Sequence, residues 1–418
     1  MEYPGQVDIM RNSHSRRAFL GAMLGGSGLF TGCLGKPANS GQSTERGSLS
    51  DIHDPDNWDG WEAWDSEITV DEETSMTGTA SLRVEADTDS PRVASIYRFA
   101  SPQDFSGRYP VCGLRWMSDT GGRELDNRSL NIHLMDDRDR TVDFTHWCLM
   151  QFVREGAWQR IAPTLNANSV DPEFDFGAVV QIDVYHYTGG EYAAGFWIDD
   201  IRFPRSDRER GAVMIQFDDS SPTVYETAYP IMERHGIPGT FNVISRRVGP
   251  DGSVSVQQLD EMADDGWTIA AHPQYERSLP SMDGEEIQRV IRRETSFLDE
   301  HGFDSTVMAW PYNEWSARSV EIASEYIDLA FGGGNGPHVN PPAPGTELVY
   351  PRVNDNSHPD GRTSLPWNAI EQAIDRNGLA CLTFHRVNEE RTSESVFEDL
   401  IERISSSPLD VFTPADLL

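Results

Sequence analysis

The stretch Ala212-Val213-Met214-Ile215-Gln216-Phe217-Asp218-Asp219 ends an apolar run on two adjacent carboxylates. Neighbouring acids raise one another's pKa, which suits a general base, and a carboxylate beside an imidazole suits a divalent metal. The run is short and rich in strand formers, and Ser220-Ser221-Pro222 stops it, so it reads as a buried strand ending in a loop. Side chains alternate along a strand, so two consecutive acids can share one site only where the backbone turns at its end. The plainer reading of these residues is a helix N-cap at Asp219 or Ser220, just ahead of Pro222.

The elements that must position these acids lie from about Gly211 onward, where β and α patterns alternate. Strands are expected at 212–217, 239–244, 267–271, 306–310, 328–332, 347–351 and 379–384. Helical stretches separate them near 223–235, 255–265, 283–301, 316–326, 365–377 and 393–405. Such alternation means parallel strands with helices packed outside, here as a small, irregular barrel. Catalytic groups of α/β domains gather at the C-terminal ends of the strands.

Read in order, residues 211–418 resemble the polysaccharide deacetylases of the NodB-homology group, carbohydrate esterase family four. The resemblance rests on four segments. Phe217-Asp218-Asp219, with Tyr229 to Phe241 following, is similar to the first motif, and Gly266 to Glu276 to the second. Ala309-Trp310-Pro311-Tyr312 is similar to the third, and Leu382-Thr383-Phe384-His385 to the last. The family mechanism uses a metal-bound water to attack an acetyl carbonyl. The resemblance makes Asp218 the general base, with Asp219 and His272 as metal ligands. It makes His385 the general acid, and the backbone N–H of Tyr312 a donor to the oxyanion. Arg352, in Tyr350-Pro351-Arg352-Val353, stands where it could pair with Asp218 and tune its pKa, a role the family gives to an arginine.

Three departures qualify this picture. The family's second histidine ligand lies four residues after the first, where this chain has Glu276. An Asp219–His272–Glu276 set is chemically reasonable for zinc, with manganese or cobalt as alternatives, but its extra negative charge weakens the ion as a Lewis acid. Glu276 as a solvated acid and a lost metal is the competing reading, and His338 or His358 are further candidates for the third ligand. Ser220 replaces the glycine usual after the aspartate pair, and Ala309 the arginine that often opens the third motif.

Residues 51–205 read differently, as strands and turns without a helix of convincing length. The clearest strands are 80–86, 111–117, 129–134, 180–185 and 195–203, which suggests an antiparallel sandwich. Gly78 to Val84 and Trp197-Ile198-Asp199-Asp200-Ile201 resemble the jelly-roll sandwiches common among carbohydrate-binding modules. That resemblance implies stacking platforms for sugars, with Trp58, Trp61, Trp64, Trp116, Trp147 and Trp158 as candidates, although aromatic packing is the simpler role for most. It also implies a structural calcium near the closing strand, with Asp199 or Asp200 as a ligand. Asn127-Arg128-Ser129 is a glycosylation sequon. Cys112 and Cys148 are either paired or buried thiols, and the cysteine spacing gives no zinc motif.

The chain carries 68 acidic against 34 basic residues, a net charge of −34, with Lys36 as its only lysine. Duplex binding relies on a basic face, so this balance argues against a nucleic-acid partner. An acidic, lysine-poor surface fits a protein kept soluble in concentrated salt, and so a halophilic source. Ser15-Arg16-Arg17-Ala18-Phe19-Leu20 and the short apolar stretch behind it form a twin-arginine export pattern. It ends at Phe30-Thr31-Gly32-Cys33, a lipobox-like sequence whose acylated Cys33 would be the only membrane attachment. The implied organisation is a leader over 1–33, a linker over 34–50, an all-β jelly-roll sandwich over 51–205 and a distorted (β/α) barrel over 206–418. The implied function is metal-dependent removal of N- or O-acetyl groups from an extracellular polysaccharide or oligosaccharide. An inactive carbohydrate-binding surface protein and an amide hydrolase for non-sugar substrates are the alternatives.

Overall fold

The computed structural model describes residues 48–117, 128–148, 156–165, 170–191, 193–206, 208–250, 252–275, 277–332, 347–355 and 364–418. These belong to one compact unit, Glu45–Leu418. The export pattern, Cys33, Asn127, Glu276, His338 and His358 lie outside the described residues.

Among the described residues, eleven antiparallel strands build the N-terminal part: β1 (Trp61–Trp64), β2 (Glu67–Asp71), β3 (Ser81–Ala86), β4 (Arg92–Gln103), β5 (Val111–Trp116), β6 (Arg128–Asp136), β7 (Thr141–Cys148), β8 (Gln159–Ile161), β9 (Thr164–Leu165), β10 (Val179–Tyr187) and β11 (Ala194–Arg202). They form a six-stranded sheet in the order β1-β4-β10-β6-β7-β9 and a five-stranded sheet in the order β2-β3-β11-β5-β8. Alternate residues of both sheets face a shared core: Leu82, Val84, Phe196 and Ile198 on one side, Ile132, Phe144, Ile182 and Val184 on the other. Trp58, Trp61 and Trp116 are buried in or beside that core, so they pack rather than present a sugar platform. Trp64 lies under Arg92, whose guanidinium carbon is 4.2 Å from the ring. Trp158 is half-buried, and the Trp147 side chain lies outside the described residues.

The two aspartates expected as calcium ligands meet protein donors. Asp199 accepts from the backbone N–H groups of Met76 and Thr77 at 2.5 and 2.9 Å. Asp200 pairs with Arg160 and Arg202, each at 2.5 Å. Both carboxylates are committed to protein donors, and no group of three His, Cys, Asp or Glu residues able to hold a metal is found among the described residues. Cys112 is buried, and the Cys148 side chain lies outside the described residues.

The C-terminal part carries β12 (Gly211–Phe217), β13 (Thr240–Val243), β14 (Thr268–Ala271), β15 (Val307–Ala309), β16 (Leu329–Phe331), β17 (Val353–Asn354), β18 (Leu379–Phe384) and β19 (Leu409–Val411). The strands are parallel, in the order β16-β15-β14-β13-β12-β18-β17, with β19 pairing the start of β12. Helices α1 (Tyr229–Arg234), α2 (Val256–Asp264), α3 (Gly284–His301), α4 (Ala317–Ala323), α5 (Ser364–Arg376) and α6 (Glu394–Ser406) connect them. The α3 helix shows why such segments fold locally: Asp283 caps its start, Gly302 at φ 78° ends it, and Ile287, Val290, Ile291 and Leu298 form one buried stripe.

The segment expected as a strand over 347–351 is instead a tight turn at Glu347–Val349, and only Val353–Asn354 pairs as a strand. Pro351 explains the interruption, since it has no N–H to give a ladder. The short segment still closes the sheet. Tyr350 bonds β16 through its N–H to Ala330 and its C=O to Gly332, and Val353–Asn354 then pair with β18.

Arg376, at the end of α5, joins the two parts. Its guanidinium lies 5.0 Å from the Tyr109 ring, 5.6 Å from Phe144 and 4.2 Å from Phe176, and donates to the Arg108 carbonyl at 3.1 Å. Tyr109 donates back to the Arg376 carbonyl at 3.0 Å, and Ser206 to the Asn377 carbonyl at 2.7 Å. These contacts fall just before the first residue of β18. The sandwich therefore docks at the N-terminal edge of the parallel sheet.

Candidate functional site

Strand period places the site. Ala212 and Met214, Ala270, Val307, Phe331, Tyr350 and Cys381 share one apolar cluster inside the barrel. Continuing each two-residue step toward the C-terminal edge reaches Gln216 and Asp218, His272, Arg352, and Thr383 and His385. Thr240 and Asn242 continue the same layer on β13. The alternate positions Val213, Ile215 and Phe217 pack against the outer helices, with Phe217 edge-on to Phe397 at 5.8 Å. The barrel is thus apolar at its base and polar at its C-terminal mouth.

Asp218 is 2% exposed. Its N–H donates to the Phe384 carbonyl at 2.9 Å, tying the end of β12 to β18. Its carboxylate accepts from Arg352 at 3.0 Å and from Asn242 at 2.8 Å. Arg352 is itself 1% exposed and also donates to Asn313 at 2.6 Å. Burial alone would push the Asp218 carboxyl up, but Arg352, His272 and His385 outweigh it and hold it well below the usual carboxylate range. Asp218 is therefore a buried carboxylate that stays ionised.

Asp219 lies on the opposite strand parity and is turned inward by the backbone. Asp219 and Ser220 both adopt left-handed conformations, at φ 74° and 56°. That explains why a glycine would be at ease at Ser220, and the serine hydroxyl compensates by accepting from the Ile244 N–H at 2.7 Å. The turn brings Asp219 Oδ1 to 3.7 Å from His272 Nε2. His272 Nδ1 lies 3.0 Å from the Ala309 carbonyl, which fixes that nitrogen as the N–H and leaves Nε2 as the lone-pair donor. This pair fits two ligands of a divalent ion. Glu276, the third expected ligand, lies outside the described residues. Arg247 occupies the same corner, 3.6 Å from Asp219 Oδ1 and donating to the Asp219 carbonyl at 3.2 Å.

Tyr312 sits at the mouth, 55% exposed, in a left-handed turn at φ 58°. The Asn313 and Glu314 N–H groups are bonded to Trp310 and Pro311, whereas the Tyr312 N–H has no partner among the described residues. Its hydroxyl donates to the Tyr275 carbonyl at 3.3 Å.

His385 follows β18, with Nδ1 3.7 Å from Asp355 Oδ1, an ion-pair approach rather than a hydrogen bond. Asp355 is held by both ends of the Arg391 fork at 2.9 to 3.2 Å and by the Thr392 hydroxyl at 3.1 Å. Burial pushes its carboxyl up, yet His385 and Arg391 keep it below the usual range. Asp355, Asn242, Arg247 and Arg391 were not singled out from the sequence. The available signals were an acid just past a short strand for Asp355, and an amide inside the apolar Thr240-Phe241-Asn242-Val243 run for Asn242.

Residues 205–327 match the family model described as polysaccharide deacetylase. A Bacillus subtilis (strain 168) protein named "Putative polysaccharide deacetylase YxkH" is 26% identical over 113 residues, which is 26% of this chain and 40% of that protein. The poly-beta-1,6-N-acetyl-D-glucosamine N-deacetylase of Staphylococcus aureus (strain N315) is 37% identical over 67 residues, 15% of this chain and 23% of that protein. The chain thus spans well under half the length of these curated relatives. Among solved structures, a family 4 carbohydrate esterase from Streptomyces lividans in complex with acetate is 14% identical, with 49% of this chain and 94% of that chain covered at a TM-score of 0.37.

Proposed function

We propose that the C-terminal barrel hydrolyses N- or O-acetyl groups on a polysaccharide. The observation that carries this reading is the buried, ionised Asp218 set between Arg352 and the Asp219–His272 pair, with His385 just past the end of the adjoining strand. In this reading Asp218 takes the proton of the attacking water, whose oxygen bonds the acetyl carbon. The Tyr312 N–H donates to the oxyanion that forms, and His385 gives a proton to the departing nitrogen or oxygen. Acetate and a free amine or hydroxyl are the products. Asp219 and His272 would hold a divalent ion, zinc first, which supplies Lewis-acid polarisation when bound. Arg352 makes Asp218 a weaker base, but it also keeps a fully buried carboxyl ionised near neutral pH, which burial would otherwise prevent. The twin-arginine pattern and the net charge of −34 support action outside the cell, in a saline medium.

The test is acetate release from partially acetylated poly-β-1,6-glucosamine and from acetylated xylan, with bound metal measured in the same samples. Loss of release in Asp218→Asn, with its metal content unchanged, is the expected outcome. Full release by Asp218→Asn would remove the proposed base. A catalytically silent glycan-binding protein is the second reading, favoured by Arg247 standing beside Asp219. It predicts no metal uptake and no acetate release.

A further inference from the structure

The outer face of the five-stranded sheet of the sandwich holds a cavity of about 310 Å³, lined by Arg83, Glu85, Arg115, Met117 and Trp197 among others. Its floor is a single cross-strand row. Arg83 on β3 pairs in register with Trp197 on β11, and Trp197 with Arg115 on β5. The two guanidinium carbons lie 5.4 and 5.0 Å from the centre of the indole ring, and Trp197 Nε1 donates to Asp71 at 2.8 Å, which fixes the ring in its plane. The two arginines differ in one respect. Arg83 is neutralised by Glu85 at 2.7 Å. The Nε of both arginines is buried without a hydrogen bond, but Arg115 has no carboxylate partner among the described residues. In a chain with twice as many acids as bases, a half-buried arginine held at a cavity wall by an aromatic ring and left without a carboxylate partner has the chemistry to take an anionic group.

We infer that this cavity binds an acidic saccharide, with the ligand's carboxylate on Arg115 and its ring packed beside the Trp197–Arg83 row. The volume matches one or two sugar rings, and Glu85 on the same wall can accept from ring hydroxyls. The inference rests on the barrel's glycan reading only for the ligand being a sugar. The site lies on the sandwich and contributes nothing to hydrolysis.

The test is calorimetric titration of the full chain with tetragalacturonate, and with maltotetraose as the neutral oligosaccharide of equal length. It is done on the Asp218→Asn protein, so that turnover plays no part. Tetragalacturonate should bind, and maltotetraose at least ten-fold more weakly. Arg115→Met should lower the acidic ligand's affinity at least ten-fold while its thermal unfolding midpoint stays at the parent value. Arg115→Lys, which keeps the charge but loses the fork, should fall between. Equal binding of the two oligosaccharides, or undiminished tetragalacturonate binding by a folded Arg115→Met protein, would overturn the site. Either result leaves acetate release by the wild-type barrel as a separate question with its own assay.

Discussion

Replacing Arg352 with methionine removes the cation that keeps Asp218 ionised. The pair is separated by 3.0 Å and both partners are almost fully buried. At an effective dielectric of about 20, two unit charges at that separation attract by about 5 kcal/mol, equivalent to roughly four pKa units. Without it, burial dominates, and the Asp218 carboxyl should rise above its unfolded value of 3.8 toward neutrality. Two measurements read this out. The acid limb of kcat/KM for acetate release should move up by two or more pH units. Urea denaturation should give a loss of about 3–5 kcal/mol at pH 8, the cost of leaving a buried charge unpaired. The pH dependence has a definite sign. In the wild type the folded carboxyl titrates below 3.8, so the pair's contribution is complete above that pH and fades as the pH falls below it. In Arg352→Met the order inverts, so the variant is penalised less at pH 5, where Asp218 can protonate, than at pH 8. A destabilisation that is the same at pH 5 and pH 8, with an unmoved acid limb, would refute this account of Asp218.

Three further outcomes follow from the geometry. Asp355→Asn should lower kcat by about 10² or more with little change in KM, because Asp355 is the charge facing His385 Nδ1 at 3.7 Å; an equal change in both parameters would instead mean a distorted binding cleft. Arg376→Ala should cost about 2–4 kcal/mol by removing three ring contacts at the junction of the two parts, and calorimetry should show one unfolding transition separating into two. A single transition at the wild-type temperature would deny Arg376 that role. Gly211→Ala would place its Cβ 2.2 Å from the Ala373 carbonyl oxygen of α5 and should cost about 1–3 kcal/mol, whereas Gly284→Ala meets only Ile322 at 3.5 Å and should be near neutral in chemical denaturation.

The parts of this molecule legible in the sequence are those set by local rules. The apolar run before Asp218, the capped stripe of α3 and the β-rich runs of β3, β5, β10 and β11 each carry their own pattern, and they fold where that pattern puts them. Short edge strands such as β8 and β9 carry too few residues to show a period. The Trp residues of the sandwich were legible as aromatic but not by location: Trp116 is 2% exposed, while Trp197, embedded in the closing strand pattern, lies beside Arg83 and Arg115. Asp355 and Arg391 meet across 36 positions and Arg247 and Asp219 across 28, and nothing periodic announces such pairs.

Charge explains why those long-range pairs matter. Among the described residues, three carboxylates surround the mouth of the barrel, and each is matched by an arginine from a different segment: Asp218 by Arg352, Asp219 by Arg247, Asp355 by Arg391. In a chain of net charge −34, a site of three uncompensated acids would sit in a field that favours their protonation. The arginine partners neutralise the site locally, and Asp218 and Asp355 are held below the usual carboxylate range. The three pairs also differ in a way that suits their positions. Arg352 is almost fully buried and is locked into place by the segment that closes the barrel, whereas Arg391 and Arg247 remain about a third exposed. Arg247 donates to the Asp219 backbone carbonyl as well as approaching its side chain, so it can keep its anchor while the carboxylate turns to another cation. Of the three, the Asp219–Arg247 pair is the longest, at 3.6 Å, and Asp219 is the acid that lies 3.7 Å from His272 Nε2.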